Sequence, residues 1–261
     1  MARYAAGGVR VALVCATGGE EGEILNPRMD QPGILEKMTE LRQAELETAC
    51  DLLGVERIYM LGYRDSGMPG SDANARPEAF CNADPDEVTR KLVEIIRAER
   101  PEVVLSYDES RGYEHPDHVR IHELGQRAFH EAGDPKAFPE AGPPWTPSKL
   151  YYFATFSKQR FEMLSKGAEA RGMKNPFEEW LKEWDNRDFA DPNITTQIDV
   201  GDYIDLRTKA LLAHATQIDP DSFWFAIPDD IIKEVYPWED FTLVEGPSGG
   251  ELPEDDLFAG V

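Results

Sequence analysis

Val103-Val104-Leu105-Ser106-Tyr107 is a short apolar run that gives way to a polar segment ending in Gly112-Tyr113-Glu114-His115-Pro116-Asp117-His118. The run reads as a buried strand. Pro116 and Asp117 suit the first turn of a helix, where a missing N–H costs nothing and a carboxylate meets the positive end of the dipole. Strand, polar loop and helix make one half of a parallel crossover unit, and the pattern recurs upstream. Residues 9–16 read as a strand, 34–53 as a helix stopped by Gly54, 57–61 as a second strand, and 86–100 as a helix ended by Pro101. Each strand is followed by a polar segment: Thr17-Gly18-Gly19-Glu20-Glu21-Gly22-Glu23, then Gly62-Tyr63-Arg64-Asp65-Ser66-Gly67, then residues 108–118. The expected fold is therefore α/β, a Rossmann-like and mostly parallel sheet with flanking helices. Its polar segments should gather at the carboxyl edge, where such sheets hold ligands.

Further along, a helix reaches about residue 132, and the Pro/Gly-rich stretch 133–147 links to a second region. There 150–154 reads as a strand, 161–182 as helical pieces broken around Gly172 and Pro176, 195–200 as a strand and 203–215 as a helix. This organisation predicts a core over 1–147, a smaller C-terminal α+β cap over 148–245 and a flexible tail over 246–261.

The 261 residues carry 27 Lys+Arg against 50 Asp+Glu, a net charge of −23. That balance argues against nucleic acid and anionic membrane as partners, since both need a positive footprint, and favours a small molecule. A hydrophobic content of 41% is enough for a core. Cys15, Cys50 and Cys81 are scattered, as reduced thiols of a cytoplasmic protein would be, and the first residues do not read as a leader or a membrane span.

Four of the five histidines, His115, His118, His122 and His130, fall in one stretch, and His214 stands alone. Two imidazoles and a carboxylate within four residues, after a tyrosine and an apolar strand, point to a metal or acid/base role for His115 and His118, against the simpler reading of a capped helix start. His122 shares a helical face with His118 but lacks the Glu of the zincin motif, and His130 reads as surface. The Asp65 loop offers polar groups suited to sugar hydroxyls or a structural Arg–Asp turn. His214, alone at a helix C-terminus, reads first as a cap.

These residues resemble the LmbE/PIG-L-like superfamily of zinc-dependent de-N-acetylases. The resemblance runs through residues 18–27, Asp65-Ser66-Gly67, the His115-Pro116-Asp117-His118 element that marks the superfamily, Pro144-Trp145-Thr146-Pro147-Ser148-Lys149-Leu150-Tyr151-Tyr152, and His214-Ala215-Thr216-Gln217-Ile218-Asp219-Pro220. It implies one zinc ion per subunit, with His118 as a metal ligand, Tyr113 as oxyanion stabiliser, His115 as acid/base and Asp117 orienting it. Glu23, Arg42, Asp65 and His214 would bind substrate. The last two segments favour the branch that hydrolyses the amide between an S-substituted N-acetylcysteine and glucosaminyl-inositol. The alternatives are deacetylation of N-acetylglucosaminyl-inositol, or a remnant that binds without turnover. A homo-oligomer stays open. The family's Ala-His-Pro-Asp-Asp-Glu element has no counterpart here. Two further zinc ligands are therefore expected in a segment before Met1, reached from an upstream start, and the chain beginning at Met1 is expected to bind zinc weakly and turn over slowly.

Overall fold

The computed structural model describes every residue except 110–112, 185 and 187–190, so Gly112 of the histidine motif lies outside the described residues. In chain order the elements are α1 (Ala2–Ala6), β1 (Ala12–Thr17), α2 (Met38–Leu53), β2 (Arg57–Tyr63), α3 (Pro85–Glu99), β3 (Val103–Ser106), α4 (Pro116–Glu131), β4 (Lys149–Phe153), α5 (Lys158–Ala170), α6 (Glu178–Trp184), β5 (Thr196–Asp199), α7 (Ile204–Ala213), α8 (Asp229–Val235) and β6 (Trp238–Glu245). They fall into two units. The first contains Met1–Met60, Phe156–Asp191 and Val200–Trp238, and the second Leu61–Thr155, Pro192–Asp199 and Glu239–Val261. The chain returns to each unit, so neither follows the expected division at 147/148.

The α/β class holds, but the strands form two sheets rather than one. β1 pairs with β2, while the second sheet runs β3-β4-β6-β5. Within the latter, β3 and β4 are parallel, with Val103 opposite Lys149 and Ser106 opposite Tyr152. β6 lies antiparallel to β4, with a register shift between Leu150 and Tyr151. Among the described residues, the loops after β2 and β3 therefore do not leave one hydrogen-bonded sheet, as a single Rossmann-like sheet would have required.

In the first unit α2 packs on α7 and α5 on α8. Gly54 ends α2 in the left-handed region, at φ 71°, where glycine carries no side-chain penalty. The core is Phe161, Leu164 and Ala168 of α5 against Ile204, Ile231, Ile232 and Tyr236.

In the second unit α3 starts cleanly: the Asp84 side chain accepts the N–H groups of Asp86 and Glu87, and Pro85 takes the first helical position. Near its end Arg97 is buried and donates to the carbonyls of Glu131, Ala132, Asp134, Ala137, Phe138 and Gly142. One guanidinium thus organises the Pro/Gly-rich stretch that follows α4. The C-terminal residues, expected as a flexible tail, pack into this unit instead. Glu254 is buried, taking hydrogen bonds from Lys149 Nζ at 3.0 Å and Tyr151 Oη at 2.9 Å, and Leu257 is buried beside it. A carboxylate leaves water only where such donors replace its hydration, and the acidic composition of the tail concealed that pairing. Among the described residues no helix is long and apolar enough to cross a membrane.

Candidate active site

The loop after β2 and the start of α4 bring Asp65, Tyr113, His115, Asp117 and His118 together in the second unit. His115 is the N-cap of α4, and its Nδ1 accepts the Asp117 main-chain N–H at 3.2 Å. That bond assigns the ring proton to Nε2. Nε2 lies 3.7 Å from Asp65 Oδ1, both side chains being nearly buried. Asp65, expected among substrate-binding residues, thus faces the histidine. Its Oδ1 also accepts the Gly67 N–H, at 2.8 Å.

Asp117 is buried, and its Oδ2 accepts the Ser66 N–H at 3.1 Å while lying 3.9 Å from His115 Nδ1. Its hydrogen bond to His115 is made by its main-chain N–H rather than its carboxylate. Burial pushes the Asp117 carboxyl upward and the charge of Asp65 adds to this, against the Ser66 hydrogen bonds. The other oxygen, Oδ1, is buried with no partner.

His118 sits in the first turn of α4, with its ring stacked on Tyr107 at 4.1 Å between centroids and 16° between planes. Burial, then the charge of His115, lower its pKa, with Asp108 and Asp65 opposing, so its imidazole is neutral near pH 7. Tyr113 is half exposed. Its ring meets His118 edge-on at 5.1 Å and His115 at 6.0 Å, and its hydroxyl donates to Met68 Sδ at 3.8 Å.

Asp65, His115 and Asp117 each present one ligand atom, all within 4.8 Å of one another, and His118 is not part of that group. Two carboxylates, that of Asp117 with an orphaned oxygen, and a neutral imidazole nearby form a donor set that fits a divalent cation. His122 lies outside it, donating from Nδ1 to the Tyr107 carbonyl at 3.1 Å, and His130 pairs with Glu245 at 2.6 Å on the surface.

Glu23, Arg42 and His214 lie in the first unit. The Arg42 guanidinium rests over the glycines of the loop after β1 and donates to the Gly19 carbonyl at 3.1 Å. A Cβ on Gly19, whose φ is +73°, would lie 2.3 Å from Arg42 Cζ. The Glu23 side chain is exposed, while its carbonyl accepts from Gln217 Nε2. His214 caps the end of α7. Burial lowers its pKa, Arg42 adding to this and Glu45 opposing, so it too is a neutral imidazole.

Sequence reasoning passed over Glu45. It is buried, and its two oxygens accept the Thr216 N–H and Oγ1–H, each at 2.8 Å. It lies three residues beyond Arg42, one turn along α2, and that spacing of an acid and a base on one helical face was the available signal. The pair fixes the His214–Gln217 turn against the helix that carries Arg42. Replacing Glu45 by Ala leaves both donors of the fully buried Thr216 unsatisfied and should cost about 1–3 kcal/mol. The urea midpoint reads this, and Glu45→Gln, which still accepts, should lose less.

The profile of the family PIG-L: GlcNAc-PI de-N-acetylase matches residues 1–129. Mycothiol S-conjugate amidase of Streptomyces coelicolor is 41% identical over 266 residues, spanning 100% of this chain and 90% of that protein. The 1D-myo-inositol 2-acetamido-2-deoxy-alpha-D-glucopyranoside deacetylase of Thermobispora bispora is 41% identical over 288 residues, spanning 100% and 92%. Among solved structures, N,N'-diacetylchitobiose deacetylase from Pyrococcus horikoshii superposes with a TM-score of 0.60 at 22% identity, over 93% of this chain and 75% of that one.

Proposed function

The chain belongs to the PIG-L family of GlcNAc-PI de-N-acetylases, and from that premise we propose that it hydrolyses the amide bond of mycothiol S-conjugates. The products are a mercapturic acid and glucosaminyl-inositol, and the reaction uses one zinc ion per subunit in the cytoplasm. The observation that carries the reading is His115. Its Nδ1 is tied to the Asp117 N–H and its Nε2 is turned to Asp65, beside a neutral His118 and a solvent-facing Tyr113.

A zinc ion held here would supply Lewis acidity toward the scissile carbonyl. His118 would hold it, because its neutral imidazole keeps a lone pair available. To serve as general acid His115 takes a second proton at Nδ1, releasing the Asp117 N–H, and as the imidazolium, steadied by the Asp65 carboxylate, passes its Nε2 proton to the departing amine. Asp117 fixes the tautomer through its N–H. Tyr113 gives its hydroxyl to the developing oxyanion, and its present acceptor, the Met68 thioether, is weak enough to be exchanged at little cost. Glu23, Arg42 and Asp65 are proposed for the sugar and inositol hydroxyls, and His214 as a further substrate-binding residue. The net charge of −23 supports a small-molecule partner over nucleic acid.

The segments 144–152 and 214–220 support the amidase reading, as does the Streptomyces relative. The second reading, deacetylation of N-acetylglucosaminyl-inositol, is favoured by the equally identical Thermobispora protein. The full chain incubated with zinc and each substrate in turn separates them. Mercapturate release from the S-conjugate is expected to be the faster reaction. Acetate as the faster product establishes the second reading, and binding with neither product rejects both.

A further inference from the structure

Met68, Tyr113 and Tyr107 are 53%, 51% and 41% exposed, three of the large apolar side chains that the chain leaves facing solvent. They form one surface. Tyr113 Oη reaches Met68 Sδ at 3.8 Å, and the Tyr113 ring meets His115 and His118. Tyr107 stacks on the same His118 ring and lies 6.2 Å from Phe153. Large apolar side chains normally go inside, and a cluster left exposed beside reactive groups marks a binding surface.

We infer that Met68, with Tyr113 and Tyr107, forms the subsite for the S-linked apolar group on the acyl half of the substrate. This rests on the proposed reaction and names the part of the substrate that sets its specificity. The carbonyl must lie within reach of the Tyr113 hydroxyl and of His115, so whatever is attached on its acyl side runs onto the surface around these side chains. An acetyl group offers that surface only a methyl. An S-substituted cysteine offers a thioether and an apolar or aromatic substituent, and both pack favourably on tyrosine faces and a methionine sulfur. Met68 is unbranched and polarizable, which suits a subsite that accepts substituents of varied shape. Met68 thus selects acyl groups without taking part in the chemistry.

The test compares the full-length chain with Met68→Ala and Met68→Leu. Binding of S-benzyl-N-acetylcysteine, the product of a benzyl conjugate, is measured by calorimetry, and hydrolysis of S-benzyl and S-methyl conjugates is followed in parallel. Met68→Ala should weaken S-benzyl product binding about five- to tenfold and lower the S-benzyl to S-methyl ratio of kcat/KM by a similar factor, through KM rather than kcat, with Met68→Leu recovering most of both. Unchanged S-benzyl binding in Met68→Ala, or an equal loss for both conjugates, overturns the subsite. Binding of the S-benzyl product that depends on Met68, without hydrolysis of either conjugate by the unaltered chain, rejects the proposed reaction while upholding the subsite.

Discussion

His115→Ala is expected to lower kcat for amide hydrolysis about 10²–10⁴-fold, the usual worth of a positioned general acid or base. The ring is held on both sides, by the Asp117 N–H at Nδ1 and by Asp65 at 3.7 Å from Nε2, so alanine removes a pre-oriented proton rather than a loose side chain. Metal content measured on the same variant separates two roles. If His118 holds the zinc and His115 moves the proton, activity falls while the metal stays. If the metal leaves with the imidazole, the Asp65–His115–Asp117 group is the ligand set, and the assignment of His118 is wrong.

Glu254→Ala should cost about 3–5 kcal/mol, seen as a lower urea midpoint, because it strands the Lys149 ammonium in a site from which both partners are excluded from water. Lys149 would keep its bond to the Ala259 carbonyl, and Tyr151 its bond to the Leu257 carbonyl, with no anion to balance the ammonium. Replacement by Gln, which still accepts from Tyr151, should cost less but leave the charge uncompensated. Acid should reproduce part of this loss. Burial by itself would raise the Glu254 carboxyl, but the Gly249 N–H, Lys149 and Tyr151 outweigh it and hold the group below its ordinary 4.5. A lowered folded-state pKa stabilises the protein fully above pH 4.5, and that contribution fades as pH falls through the lower folded value. In Glu254→Gln this acid-side component should disappear from the pH dependence of the urea midpoint.

The helices were the most legible part of the sequence, because their stops and starts are local chemistry. Gly54, Asp84 with Pro85, and Pro116 with Asp117 all act within one turn of where they stand. β6 escaped because its pattern is broken by Asp240, which is buried and takes the Gln197 side-chain amide at 3.0 Å. A buried acid reads as a surface residue until its partner 43 positions away is known. The division into two sheets was hidden for a similar reason, since ladder partners are chosen across space and apolar runs do not name them.

The site followed the same rule. His115 and His118 stood out by their spacing, whereas the facing of Asp65 to His115 and the clasp of Glu45 on Thr216, 171 residues apart, belong to the tertiary fold. Met68 has no spacing signal of its own, and its place beside Tyr113 belongs to the tertiary fold too.

Arg97 changes how the stretch after α4 is to be handled at the bench. Composition marks it as a linker, the kind of segment chosen for inserting a tag or a fluorescent domain. Six carbonyls converge on one guanidinium, so the backbone there is fixed from its centre. Lysine, with three donors on one atom, could not span them. An insertion would part a node that holds α3 and α4 in register, which makes this stretch one of the least suitable places to open the chain.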